Sequence, residues 1–283
     1  MSNGKKARGV PSSSEGDSDG ESVGSACSVS SIEVCFELFN MGENDYHSVK
    51  QYLGNFFGVG DHGVELSALA AFITEELAED VGTCIKTDGE ASDPFGFVTG
   101  IPVGLARERR PHMLEGLRRF FGGKLGGLAG AEDFFAGPEN VLVFSERLMN
   151  VPGAVAGPLY RQFRDDWEAA CAEDGAHYGT GGRVLLVTPC FREVPSRLDR
   201  ERGGKRAKRG EFGVTSRQVE YYYEEFGALD GSAACDFTVN TGHDTGDSRR
   251  AFGDAGIEPC RRAFLLTWEA LARFIEDCGD AQA

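Results

Sequence analysis

The chain has 283 residues, 41% hydrophobic, 10% aromatic and 26% charged, a globular composition that excludes a mainly disordered or fibrous protein. No run approaches the roughly 18–20 apolar residues of a membrane span. The opening Met1–Arg8 leads into Ser, Gly and acid with no apolar core of a secretion signal, so an intracellular protein is expected. Eight scattered cysteines with no Cys-x-x-Cys pair read as reduced thiols, not a disulfide frame or zinc site. The net charge is −16, and it is unevenly spread. Between Arg197 and Arg209 seven basic residues face only Asp199 and Glu201, a surplus of +5, so the remainder of the chain holds −21. Such a body repels nucleic acid and anionic membranes and attracts basic partners.

Residues 1–31 are rich in Ser, Gly and acid and read as a disordered tail. A domain is expected over 32–279, with a basic loop at 197–210. Ile32, Val34, Phe36 and Leu38 alternate with polar residues, the period of a half-buried strand. Asp45 then stands where a cap would open a helix carrying Val49, Leu53, Phe56 and Phe57 on one face. In a second helix Leu66, Leu69, Ala70, Ile73 and Leu77 face inward, and Glu75, Glu76, Glu79 and Asp80 fall largely off that face. Strands are predicted at 82–87 and 95–103, a helix around Met113–Phe121, and a helix stop with a flexible linker over the Gly-rich 122–130. Further strands fall at 140–148, 183–191, 219–226, 235–239 and 263–268. Helices at 158–171 and 269–278 complete the chain.

Helices and strands in this order imply an α/β protein, a mixed sheet covered by helices. The order resembles the acetyltransferase-like (GNAT-like) architecture. Enzymes of that class hold the pyrophosphate of acetyl-CoA on backbone N–H groups of a glycine turn that opens a helix. Gly104–Arg110 has one glycine, and the glycines of 122–130 follow a helix instead of opening one. No cofactor is expected. The five histidines (47, 62, 112, 177, 243) are isolated, no Ser lies in Gly-x-Ser-x-Gly, and no Cys has a neighbouring His. No catalytic residue and no metal are assigned, and the protein is not expected to be an enzyme. Lys205, Arg206, Lys208 and Arg209 fit a nuclear-import cluster, and Ser12–Glu15 and Ser18–Glu21 fit acid-directed kinase sites.

Several blocks together resemble the BCCIP family of nuclear proteins, named for binding a breast-cancer recombination protein and a cyclin-dependent kinase inhibitor. They are Val34-Cys35-Phe36-Glu37, Asn44–Lys50, Gly82–Thr87, Phe95-Gly96-Phe97-Val98, Val143–Pro152, Pro158-Leu159-Tyr160, the Lys/Arg-rich loop, and Glu220–Phe226. The resemblance implies a non-enzymatic adaptor or chaperone of the nucleus, shuttling with the cytoplasm, on an acetyltransferase-like fold whose cofactor site is lost. It implies a basic large-subunit ribosomal protein as client, an import receptor as partner, and roles in ribosome biogenesis and in nuclear export of a phosphoinositide kinase. Binding of cell-cycle and DNA-repair proteins is the alternative, and a divergent acetyltransferase a more distant one. Direct contact with nucleic acid or membrane is not expected.

Ser145-Glu146-Arg147 at a strand end is expected to hold the turn before Pro152, with Glu and Arg paired to neighbouring segments. The candidate contacts for a basic partner are Glu75, Glu76, Glu79 and Asp80 on the second helix, with Tyr222, Glu224 and Glu225 on the tyrosine strand. Replacing Lys205, Arg206, Lys208 and Arg209 with Ala should leave thermal stability unchanged and weaken nuclear accumulation of a fluorescent fusion. Undiminished nuclear signal would move import to another segment, such as Lys5–Arg8.

Overall fold

The computed structural model describes residues 34–194, 219–239 and 256–280. The expected tail, its kinase sites and the basic segment 197–209 with its import cluster lie outside the described residues. The elements are β1 (Glu37–Asn40), α1 (Tyr46–Phe57), α2 (Leu66–Ala71, continuing as a π-helical turn over Phe72–Glu76), β2 (Thr83–Lys86), β3 (Gly96–Pro102), α3 (Val103–Arg109), α4 (Pro111–Gly122), β4 (Val141–Arg147), α5 (Ala156–Glu173), β5 (Arg183–Glu193), β6 (Val219–Tyr221), β7 (Ala234–Phe237), β8 (Ile257–Thr267) and α6 (Trp268–Asp280). No described helix is long and apolar enough to cross a membrane.

The eight strands form one mixed sheet in the order β1-β2-β3-β4-β5-β8-β7, with β6 on β5. All neighbours are antiparallel except β4 and β5, which run parallel. Alternation along β4 sends Leu142, Phe144 and Glu146 to one face and Val143, Ser145 and Arg147 to the other. The first face meets α1 and α4, where Phe56 packs edge-on against Phe144 and Phe57 against Phe120. The second meets α5 and α6, joined by Tyr160 against Phe274. Gly100 of β3 lets α5 come close: a Cβ there would sit 2.7 Å from the Trp167 ring.

The expected α/β mixed sheet is present, with local corrections. β1 starts at Glu37, after Val34 and Cys35, which are exposed and outside the strand; the expected start at Ser31 lies outside the described residues. Pro102 ends β3, one residue short of the expected strand, and Val103 starts α3, a helix that the sequence reading did not assign. The Gly-rich segment is no free linker, since Leu125, Leu128 and Ala131 are buried. After Tyr221 the chain leaves the sheet for a 3-10 turn over Glu224–Leu229. β8 begins at Ile257, six residues earlier than expected.

Asp45 does not cap α1 with its side chain. Its carboxylate accepts the Gly42 N–H at 3.1 Å and pairs with Lys86 Nζ at 2.7 Å. Lys86 also donates to the Glu90 carbonyl at 2.5 Å, and both side chains are buried. The pair therefore ties the entry to α1, strand β2 and the acidic turn after it into one unit. Nearby, burial foremost and then the Asp45 charge push the Cys84 thiol up to about 12. Removing one partner of such a pair strands a charge in a dry site, at a cost of about 3–5 kcal/mol. Lys86→Met should lower the urea midpoint accordingly, and adding Asp45→Asn should recover most of the loss; no recovery in the double variant would show that packing of the lysine stem, not charge, is what matters.

Candidate functional site: the groove where two parallel strands part

β4 and β5 pair only from Val141–Phe144 to Val184–Val187. Beyond that point β5 takes β6 as its neighbour at Cys190–Arg192, and Ser145–Arg147 of β4 keeps only β3. Backbone groups facing the gap must find partners, because buried unpaired N–H and C=O groups are costly. Tyr223 supplies them. Its hydroxyl accepts the Arg147 N–H at 3.2 Å and donates to the Arg147 carbonyl, standing in for a missing strand. The Arg147 guanidinium lies 4.2 Å from the centre of the Tyr223 ring and donates to both oxygens of Glu225, at 2.5 and 3.0 Å. Ser145 shares a hydrogen bond of 2.8 Å with the Tyr160 hydroxyl. The expected pairing of Arg147 with a neighbouring segment is thus present, whereas Glu146, expected to pair as well, only approaches Arg261 at 3.9 Å.

Glu146 points to the opposite face and is buried. Its Oε1 has no hydrogen-bond partner among the described residues and lies 3.9 Å from Arg261 Nη2. Arg261 itself donates to the carbonyls of Asn55 (2.8 Å) and Phe56 (3.4 Å) at the end of α1. Burial pushes the Glu146 carboxyl up, and the Arg261 charge pulls it partly back.

On the other side of Arg147 the surface opens into a groove of about 620 Å³. Arg147 and Glu225 form part of its wall, Tyr222 and Met149 supply apolar surface, and Glu224 and Asp277 stand exposed around it. Met149 is 70% exposed and Leu148 44%, an unusual pair of large apolar side chains left in water. Tyr222 is half-buried, its ring 4.9 Å from that of Phe191.

Of the residues predicted as partner contacts, Tyr222, Glu224 and Glu225 gather in this groove, although Glu225 is occupied by Arg147. The second-helix set does not line it. Glu76 is bound to Arg110 at 2.5 Å, and Asp80, though exposed, accepts the Tyr178 hydroxyl at 2.8 Å; Glu75 and Glu79 are exposed with no ion pair among the described residues. Acidic residues alone do not reveal which carboxylates are consumed by arginines distant in sequence. The sequence reading missed Leu148, Met149 and Asp277. A Leu-Met step beyond a strand end, and an acid beside the inward Phe274, Ile275 and Cys278, were the available signals.

The site is thus a mixed sheet parted between two parallel strands, closed by Tyr223 and the buried Arg147–Glu225 pair and edged by exposed acid and Met149. The chain matches the BCCIP family over residues 31–225 and belongs to it. It is 28% identical over 250 residues to Protein bcp1 of Emericella nidulans, covering 83% of this chain and 82% of that protein. It is 30% identical over 243 residues to Protein BCP1 of Gibberella zeae, covering 83% and 81%. The crystal structure of BCP1 from Saccharomyces cerevisiae superposes with a TM-score of 0.54 over 87% of this chain and 88% of that one; at 21% identity the likeness is one of fold.

The state of Glu146 has a measurable consequence. A carboxyl raised in the fold favours its neutral form, so its contribution to stability is full below the ordinary carboxylate range and is lost as pH rises through the raised value. Glu146→Gln should therefore gain stability relative to the wild type as pH rises from about 4 to about 8. Denaturant curves that stay parallel across that range would show that Arg261 holds the carboxylate ionised throughout.

Proposed function

We propose that the protein is a non-enzymatic adaptor or dedicated chaperone of the nucleus, shuttling with the cytoplasm, whose client is a basic protein of the large ribosomal subunit. The client is held in the groove beside Arg147, and the work belongs to ribosome biogenesis and nuclear transport. What supports this function is the composition of that groove: exposed Glu224 and Asp277 beside Tyr222 and the solvent-exposed Met149, on a chain of net −16. Lys and Arg present a cation on an apolar stem, and such side chains are matched by carboxylates next to aromatic and thioether surface.

The non-enzymatic reading, on an acetyltransferase-like sheet, is supported by the turn that leaves β4 for α5. It runs through Pro152, which has no N–H, and the N–H groups of Val151 and Val155 are already bonded to the Leu148 and Pro152 carbonyls. Phosphate oxygens would find few free donors there. Acetyl-CoA should accordingly give no heat in a calorimetric titration. Micromolar binding would restore the acetyltransferase alternative.

Capture by charge predicts steep salt dependence. Binding to a basic large-subunit ribosomal protein, measured by fluorescence anisotropy against a panel of such proteins, should weaken progressively with added salt. Glu224→Lys with Asp277→Lys turns two weak attractions into repulsions, a loss of about 2 kcal/mol or roughly thirtyfold in affinity. Glu75→Lys with Glu79→Lys, on the second helix, should cost less. Binding that is absent from the whole panel, or indifferent to both salt and the groove variant, would overturn this function.

A further inference from the structure

β5 and β8 pair antiparallel from Arg183–Thr267 to Glu193–Ile257, and in that register Cys190 stands directly opposite Cys260. Directly opposed residues of antiparallel strands have Cα atoms about 4.5–5.5 Å apart, inside the span of roughly 4.4–6.8 Å that a disulfide bridges. The two Sγ atoms lie 3.0 Å apart and both thiols are free. The other described cysteines are not placed against one another in this way. The pair sits outside the main core, in a small satellite cluster with Val219 beneath Tyr221, both from the three-residue β6. We infer that Cys190 and Cys260 are a modification site, oxidised by hydroperoxides to an intramolecular disulfide and returned to thiols by dithiol reductants.

The chemistry needs no further group. The two thiols share one hydrogen bond; that bond first, against the opposing effect of burial, and then the Arg192 charge hold the Cys260 thiol below its ordinary value, whereas Cys190 is held up. Cys260 is therefore the attacking thiolate. It displaces hydroxide from hydrogen peroxide and becomes a sulfenic acid. Cys190 then attacks the sulfenic sulfur, its thiol proton leaving with the sulfenic hydroxyl as water, and the proton that Cys260 released on ionising neutralises the hydroxide. Two thiols and one peroxide give one disulfide and two waters, the two electrons passing from sulfur to the peroxide oxygens.

The position gives the bond a purpose. β5 ends at Glu193 and β8 begins at Ile257, so the pair stands near the last described residues before 195–218, the stretch with the basic segment, and the first after 240–255. A cross-link there joins the roots of the two stretches. It also stiffens β5 beneath β6, the strand that leads directly to Tyr222–Glu225 in the groove.

The test treats the reduced full-length protein with hydrogen peroxide, blocks remaining thiols with N-ethylmaleimide and maps peptides without reduction. A peptide joining Cys190 to Cys260 should dominate all other pairings, the free thiol count should fall by two, and dithiothreitol should restore both. Cys190→Ser should leave Cys260 as a sulfenic acid trapped by dimedone, with an unchanged circular dichroism spectrum. Should that variant not fold, peptide mapping of the wild type decides alone. Oxidation at Cys35 or Cys171 without the 190–260 link, or a link that forms only in urea, overturns the inference.

Discussion

The parting of β4 from β5 sets the terms for everything around it. Two parallel strands that hydrogen-bond for only four residues leave one of them, β4, with polar backbone inside the protein and β3 as its neighbour on one side only. Water is excluded, since Ser145, Glu146 and Arg147 are all buried. The molecule answers with side chains. Tyr223 completes the backbone of Arg147, Glu225 neutralises its guanidinium, and Tyr160 takes Ser145. The segment that brings Tyr223 and Glu225 there must begin on β5, which is the role of the short β6. Because losing either partner would strand a buried charge, Arg147 and Glu225 hold each other in place as a fixed wall of the groove.

Much of the architecture was legible from periodicity. The stripe Val49–Leu53–Phe56 and the run Leu159–Phe163–Trp167 follow helical spacing that nothing else satisfies, and the apolar runs of β4 and β5 match strands covered on both faces. What escaped was decided at a distance. The three consecutive tyrosines read as continued strand, yet only Tyr221 stays in the sheet, because Tyr223 is required across the gap by Arg147. Asp45 carries the sequence of a cap but is taken by Lys86, forty-one residues on. Half of the groove was visible as Tyr222 and Glu224. The other half, Met149 and Asp277, is assembled from two strand and helix ends that no local pattern links.

Net charge overstates the acidic surface that a partner can meet. Of the carboxylates placed here, Asp45, Glu225 and Asp236 lie against Lys86, Arg147 and Arg192, and Glu76 is held by Arg110. These acids shape the protein. Those at Glu75, Glu79, Glu224 and Asp277 are left to its surroundings, so the long-range field and the contact surface are drawn from different residues.

The sheet is broad, but its borders are brief. β1 and β7, the two outermost strands, have four residues each, and β6 has three. An unpaired strand edge is a template on which another chain can add itself, and its hazard grows with its length. Four residues, with Glu37 and Asn40 exposed at the ends of β1, offer too little backbone to register a foreign strand. Among the described residues, the apolar surface exposed at Leu148 and Met149 is therefore made of side chains, and the outer strands leave little backbone open to recruitment.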